Sequence, residues 1–160
     1  MFRATLALTA AALCSMLSAC DQAATTPAAT VNTGALQYED AWIREAPPGM
    51  QMMAGYVTIQ NNSEKDVVIL SAASEAFMDI EIHKTEVTDS TARMIEQENL
   101  PIPAGGSLEL SPGGYHLMLM MPSTPLKMGD KAKIGFTLEG GSTDNIEFEV
   151  LKAPGKGGEH

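Results

Sequence analysis

The chain has 160 residues, room for one domain with an appendage. Its 20 acidic residues against 10 basic ones give a net charge of −10, which excludes the dense phosphate contacts of a nucleic-acid binder and electrostatic attachment to anionic lipid. Sulfur is nearly all thioether, 11 Met against 2 Cys, so disulfides, zinc–thiolate sites and thiol catalysis have little material to draw on.

Arg3 precedes an uncharged run, "ATLALTAAALCSMLSA" at 4–19, with the n-region and h-region pattern of a secretory signal. It is short for a membrane span and ends at once in polar sequence. The run closes in "LSAC", Leu17–Cys20, which resembles the lipobox of bacterial lipoproteins. That resemblance implies cleavage before Cys20, acylation of Cys20 and no thiol in the folded part. Asp21 resembles the residue that retains enteric lipoproteins in the inner membrane. Residues 20–35 are mostly Ala, Thr and small polar groups and read as a flexible tether, roughly 50 Å long if extended.

From residue 36 onward, short runs of β character alternate with turn sequences. The predicted strands are Leu36–Arg44, Ala54–Asn61, Asp66–Ala73, Met78–Thr85, Arg93–Gln97, Ser107–Leu110, Gly114–Met121, Lys131–Leu138 and Asn145–Lys152. Segments such as "APPG", "NNSEKD", "PIPAGG", "SPGG" and "EGGSTD" separate them. Strands of this length and spacing predict an all-β sandwich or barrel, antiparallel, as one domain over 36–152. Residues 153–160, "APGKGGEH", read as a flexible tail.

Alternation assigns faces. In "GYHLMLMM", Tyr115, Leu117, Leu119 and Met121 share one side, and His116, Met118 and Met120 share the other. In "MDIEIHKT", Met78, Ile80 and Ile82 oppose Glu81 and His83. Both histidines therefore leave the faces opposite the apolar ones, and are expected to be visible from outside the core. Met50, Met52 and Met53 follow a Pro-Pro-Gly turn and read as loop-borne, either an auxiliary thioether patch or a turn that tolerates Met. Met120 reads as rim packing beside His116 and Met118 rather than as a further ligand, and His160, beside Glu159 in the tail, as incidental rather than as a weak metal ligand.

His83, Met94, His116 and Met118 form the pattern His-x10-Met-x21-His-x-Met. With "AWIREAPPG", "GYVTIQN", "EIHKT", "LPIPAGGSLEL" and "PGGYHLMLM" in the same order, the chain resembles the periplasmic copper chaperones of the PCu(A)C family over residues 36–152. The resemblance implies a cupredoxin-like Greek-key fold and a copper(I) site made of those four residues. It also implies delivery to the CuA centre of cytochrome c oxidase, directly or beside a Sco-type protein. A lipid-anchored periplasmic monomer is expected. Taken singly, Met94 and Met118 could be packing residues, and a lone surface His usually ligates nothing.

The chemistry agrees with the resemblance. Copper(I) is soft and accepts thioether and imidazole, whereas zinc, calcium and magnesium prefer thiolate, imidazole or oxygen. Electron transfer at a blue-copper centre requires a Cys thiolate, and none follows Cys20. No Ser-His-Asp set or paired-carboxylate motif suggests an enzyme. Copper buffering without a dedicated client is the alternative to delivery.

Overall fold

The structure, a computed structural model, describes residues 30–88 and 91–152. Eleven strands fill it, with no helix among the described residues. They are β1 (Val31–Asn32), β2 (Leu36–Arg44), β3 (Met52–Asn61), β4 (Val67–Ala73), β5 (Phe77–Thr88), β6 (Thr91–Glu96), β7 (Leu100–Ile102), β8 (Ser107–Leu110), β9 (Tyr115–Pro122), β10 (Lys131–Leu138) and β11 (Thr143–Leu151). The signal segment, Cys20, Asp21 and the 153–160 tail with His160 lie outside the described residues.

The strands join in the order β6-β5-β9-β8-β3-β2-β11-β10-β4-β7, with β1 added to β2. β4 and β5 lie far apart along that path yet touch, so the sheet rolls around one core. Two pairings depart from the antiparallel expectation. β11 returns beside β2 in the same direction, and β8 meets β9 in parallel at Leu110 and Tyr115. The result is an all-β, cupredoxin-like sandwich.

β11 alternates without a fault: Asp144, Ile146, Phe148 and Val150 are buried, and the residues between them are exposed. Leu117 and Leu119 of β9, Ile134 and Phe136 of β10, and Val57 and Ile59 of β3 complete the centre. Tyr38 stacks on Phe136 with ring centroids 5.5 Å apart. Truncating one of these fully buried side chains to Ala costs about 2–5 kcal/mol.

Several expectations from sequence need correction. β1 lies inside 20–35, where Val31 pairs with Tyr38 and Asn32 with Gln37. β7 runs from Leu100 into the "PIPAGG" break; it pairs only with β4 among the described strands, an edge position that tolerates Pro101. Met52 and Met53 are the first residues of β3 rather than loop. A bulge near Asp40, whose φ is 54°, adds one residue to β2, so Leu36, Tyr38 and Ile43 all reach the core despite broken parity. Met121 has φ 47° and lies exposed, because the backbone turns out of the β9 alternation there. Met78, placed by parity with Ile80 and Ile82, is also exposed at the start of β5.

Candidate metal centre

Register gathers the four His and Met residues of the sequence pattern. His83 of β5 stands directly opposite His116 of β9. Glu81 is opposite Met118 in the same pairing, and Met94 of β6 is opposite Thr85 of β5. Opposed residues share a face, as do residues two apart on one strand. His83, Met94, His116 and Met118 thus leave one face of the three-stranded unit β6-β5-β9. The core face carries Ile82 and Leu117 instead.

β3 completes this surface. Its first half pairs with β9, setting Ala54 opposite Met118 and Met52 opposite Met120. On the reverse side Gly55 faces Leu117. A Cβ on Gly55 would sit 3.2 Å from Leu117 Cβ and 3.4 Å from Leu119 Cδ1. The missing side chain lets β3 and β9 approach closely, and the small Ala54 leaves space above Met118.

A cleft of about 1100 Å³ opens at this end, its lining including Met50, Met52, Met94, His116 and Met118. Its charged lining residues are Arg44, Lys127 and Lys152 against the single acid Glu45, a local reversal in an acidic chain. Met50, Met52 and Met94 are exposed, whereas Met53 is buried in the core opposite Leu119. Met120 is half-buried on the same face as His116 and Met118, outside the cleft lining. Three members of the sequence pattern, Met94, His116 and Met118, thus meet the Met50–Met53 cluster in one cavity, with Met53 contributing chiefly from the core side, while His83 stands behind the cleft lining, opposite His116.

The histidines are less open than alternation suggests. His116 is 7% exposed, and the side chain of His83 is 12% exposed. β5 lies between β6 and β9, so side chains from both neighbours crowd His83. The ring centroids of His83 and His116 are 6.0 Å apart, edge to face. His83 Nε2 lies 2.8 Å from Glu81 Oε2, and His116 Nδ1 lies 3.2 Å from the Gly114 carbonyl oxygen. His83 Nδ1 is buried without a hydrogen-bond partner. Buried polar atoms are normally paired, so this one is positioned for something else. Glu81 is the neighbour that sequence reasoning placed on the face without assigning it a part; the clue was its position two residues before His83 on one strand.

Among the described residues no three His, Cys, Asp or Glu side chains converge as a metal-holding group. A metal held by both histidines would therefore draw its other donors from thioether sulfur. Neutral imidazole and thioether suit copper(I) and give hard cations nothing to prefer.

The family described as "Putative lipoprotein LpqE-like" matches residues 36–150, from the first residue of β2 into β11. The "Putative lipoprotein Lxx21020" of Leifsonia xyli subsp. xyli is 31% identical over 116 residues, which cover 72% of this chain and 69% of that one. The solution structure of copper(I)-bound DR1885 from Deinococcus radiodurans is 26% identical, with a TM-score of 0.58, covering 78% of this chain and 82% of that one. The copper-bound PCuAC domain from PmoF2 shares the fold at 18% identity and a TM-score of 0.66, covering 78% of this chain and 99% of that domain. A match that takes in nearly every described strand, together with a relative above 30% identity across most of both chains, means that this chain belongs to the LpqE-like (PCuAC) family.

Proposed function

We propose that this protein is an extracytoplasmic copper(I) chaperone that holds one ion between His83, Met94, His116 and Met118. The observation that carries this reading is that strand register brings the four residues to one face of β6-β5-β9, where one imidazole nitrogen, His83 Nδ1, is buried without a partner. The copper-bound states of DR1885 and the PmoF2 domain support copper as the cargo.

The donor set gives the chemistry its direction. Two imidazoles and two thioethers are neutral, so the site binds a monocation without releasing a thiol proton. Such ligands hold copper(I) less firmly than thiolates do, so the ion passes by ligand exchange to an acceptor that offers Cys. The acceptor in this reading is the CuA centre of cytochrome c oxidase, reached directly or with a Sco-type protein. Acylation of Cys20 would hold the domain at the periplasmic face of the membrane, and the tether length would set its reach. The lipoprotein name of the Leifsonia relative supports that placement.

Copper(I) titration of the purified protein, followed by X-ray absorption at the copper edge, tests the site. One copper per chain with two nitrogen and two sulfur donors is expected; an all-sulfur shell, or no tight binding, would refute it. Oxidase activity of a deletion strain at limiting copper tests the client. Unchanged activity would leave buffering of copper as the role.

A further inference from the structure

Glu81 and the Gly114 carbonyl oxygen assign different jobs to the two ring nitrogens of each histidine. A carboxylate and a carbonyl accept hydrogen bonds and donate none. The 2.8 Å contact with Glu81 Oε2 therefore places the proton of neutral His83 on Nε2. Its lone pair is then on Nδ1, the buried atom without a partner. His116 is arranged the other way round. Its Nδ1 donates to the Gly114 oxygen at 3.2 Å, leaving the lone pair on Nε2. The rings meet edge to face at 67°, and the two hydrogen bonds leave their lone pairs on chemically different nitrogens.

We propose that Glu81 is a positioning residue that fixes His83 as its Nε2–H tautomer, so that copper(I) is met by Nδ1 of His83 and Nε2 of His116. This rests on the Met2His2 reading above. Glu81 acts in two ways. It holds the imidazole in the tautomer and orientation that the ion requires, so neither has to be selected when copper arrives. Its charge also polarises the ring through the Nε2–H bond, which strengthens donation from Nδ1 in a site whose ligands are otherwise neutral. Met94 and Met118 have no such partner, because a thioether carries no proton to place. Glu81 keeps 30% of its side-chain surface exposed, so replacing it leaves no large void.

The test is a long-range proton–nitrogen correlation spectrum of the histidine rings, recorded on the full chain at about pH 8, where histidine is ordinarily neutral. In the metal-free protein His83 should show the Nε2–H pattern and His116 the Nδ1–H pattern. One equivalent of copper(I) should then shift Nδ1 of His83 and Nε2 of His116. Glu81→Ala should mix the His83 tautomers and weaken copper(I) binding about 10- to 100-fold, the usual effect of losing such a partner. Glu81→Gln, which keeps an accepting oxygen, should restore the tautomer and part of the affinity. An Nδ1–H pattern for His83 in the metal-free wild type would overturn the proposal. So would a copper(I) shift at His83 Nε2, or a Glu81→Ala variant with unchanged tautomer and affinity. A copper(I) addition that shifts neither ring would refute the Met2His2 site itself. The metal-free spectrum separates that outcome from a misassigned tautomer.

Discussion

Asp144 and Asn61 lie toward the start of β2, His83 and His116 toward the other end of β3, and the two regions treat buried polar atoms differently. Asp144 Oδ2 accepts from Tyr38 Oη at 3.0 Å and from Thr33 Oγ1. Asn61 Nδ2 is shared among the carbonyl oxygens of Lys65, Ile102 and Pro103, while its Oδ1 accepts from Ser63. Both clusters pin strands together through bonds made within the protein. At the other end each histidine spends one nitrogen on the protein, and His83 Nδ1 is left bare. An unpaired buried polar atom costs about 1–3 kcal/mol. A closed network of this kind is structural, and an open one is an invitation to a ligand.

The strongest way to break the comparison is to remove a proposed donor. His83→Ala or Met118→Ala should lower copper(I) affinity by more than the roughly 100-fold that loss of a supporting contact can cost, measured by competition with a chromophoric chelator. Met120→Ala should cost under about threefold, since Met120 lies two residues beyond Met118 on β9, opposite Met52 and away from the His83–His116 pair. Equal losses at Met118 and Met120 would move the site.

The reciprocal change is Asp144→Ala, which strands the Tyr38 hydroxyl in the core. Stability should fall by about 2 kcal/mol, read from denaturant unfolding, with copper(I) affinity unchanged. A large loss of affinity would mean that the two ends are coupled.

Gly55→Ala lies between these extremes. The new methyl would press on Leu117 and Leu119, at an overpacking cost of about 1 kcal/mol. Met118 lies between those leucines on β9, so copper(I) affinity should fall several-fold as well. A stability loss alone would show that β9 yields without moving its outward face.

The smallest effect is one of pH. Burial, with the charge and hydrogen bond of Asp144, holds the Tyr38 phenol far above its usual range. The folded state keeps the proton, whereas the unfolded chain loses it near pH 10. The stabilisation is complete below that value and declines as pH rises beyond it. Tyr38→Phe should flatten the alkaline limb of stability while leaving the neutral and acid limbs parallel to wild type.

Much of this was legible in the chain. Alternation in "HLMLM" put His116 and Met118 opposite Leu117 and Leu119, and the fold keeps them so. The long β-branched and aromatic runs became strands close to their expected ends. β1 and β7 escaped notice because two or three residues carry no readable period. The bulge at Asp40 was invisible because a positive φ at a non-glycine residue leaves no mark in composition. The seclusion of the histidines could not be read either, since alternation gives the side of a strand and says nothing about what neighbouring strands lay over it. Met50 and Met52 were visible as a cluster, but their place beside Met118 depends on the pairing of β3 with β9, a contact across more than 60 residues.

β6 adds a point about timing. It is hydrogen-bonded to β5 alone, and all six of its residues are exposed, Met94 at 60%. Edge strands open at a small fraction of the free energy needed to unfold a core. In the proposed site, three donors are anchored on strands with neighbours on both sides, and the fourth hangs on this edge. The Met94 sulfur would therefore be the first bond to break and the first that an incoming ligand replaces. How long the cargo stays would then be set by the fraying of one short strand, so residence time could be tuned by substitutions along 91–96 with little change in how well the rest of the molecule holds together.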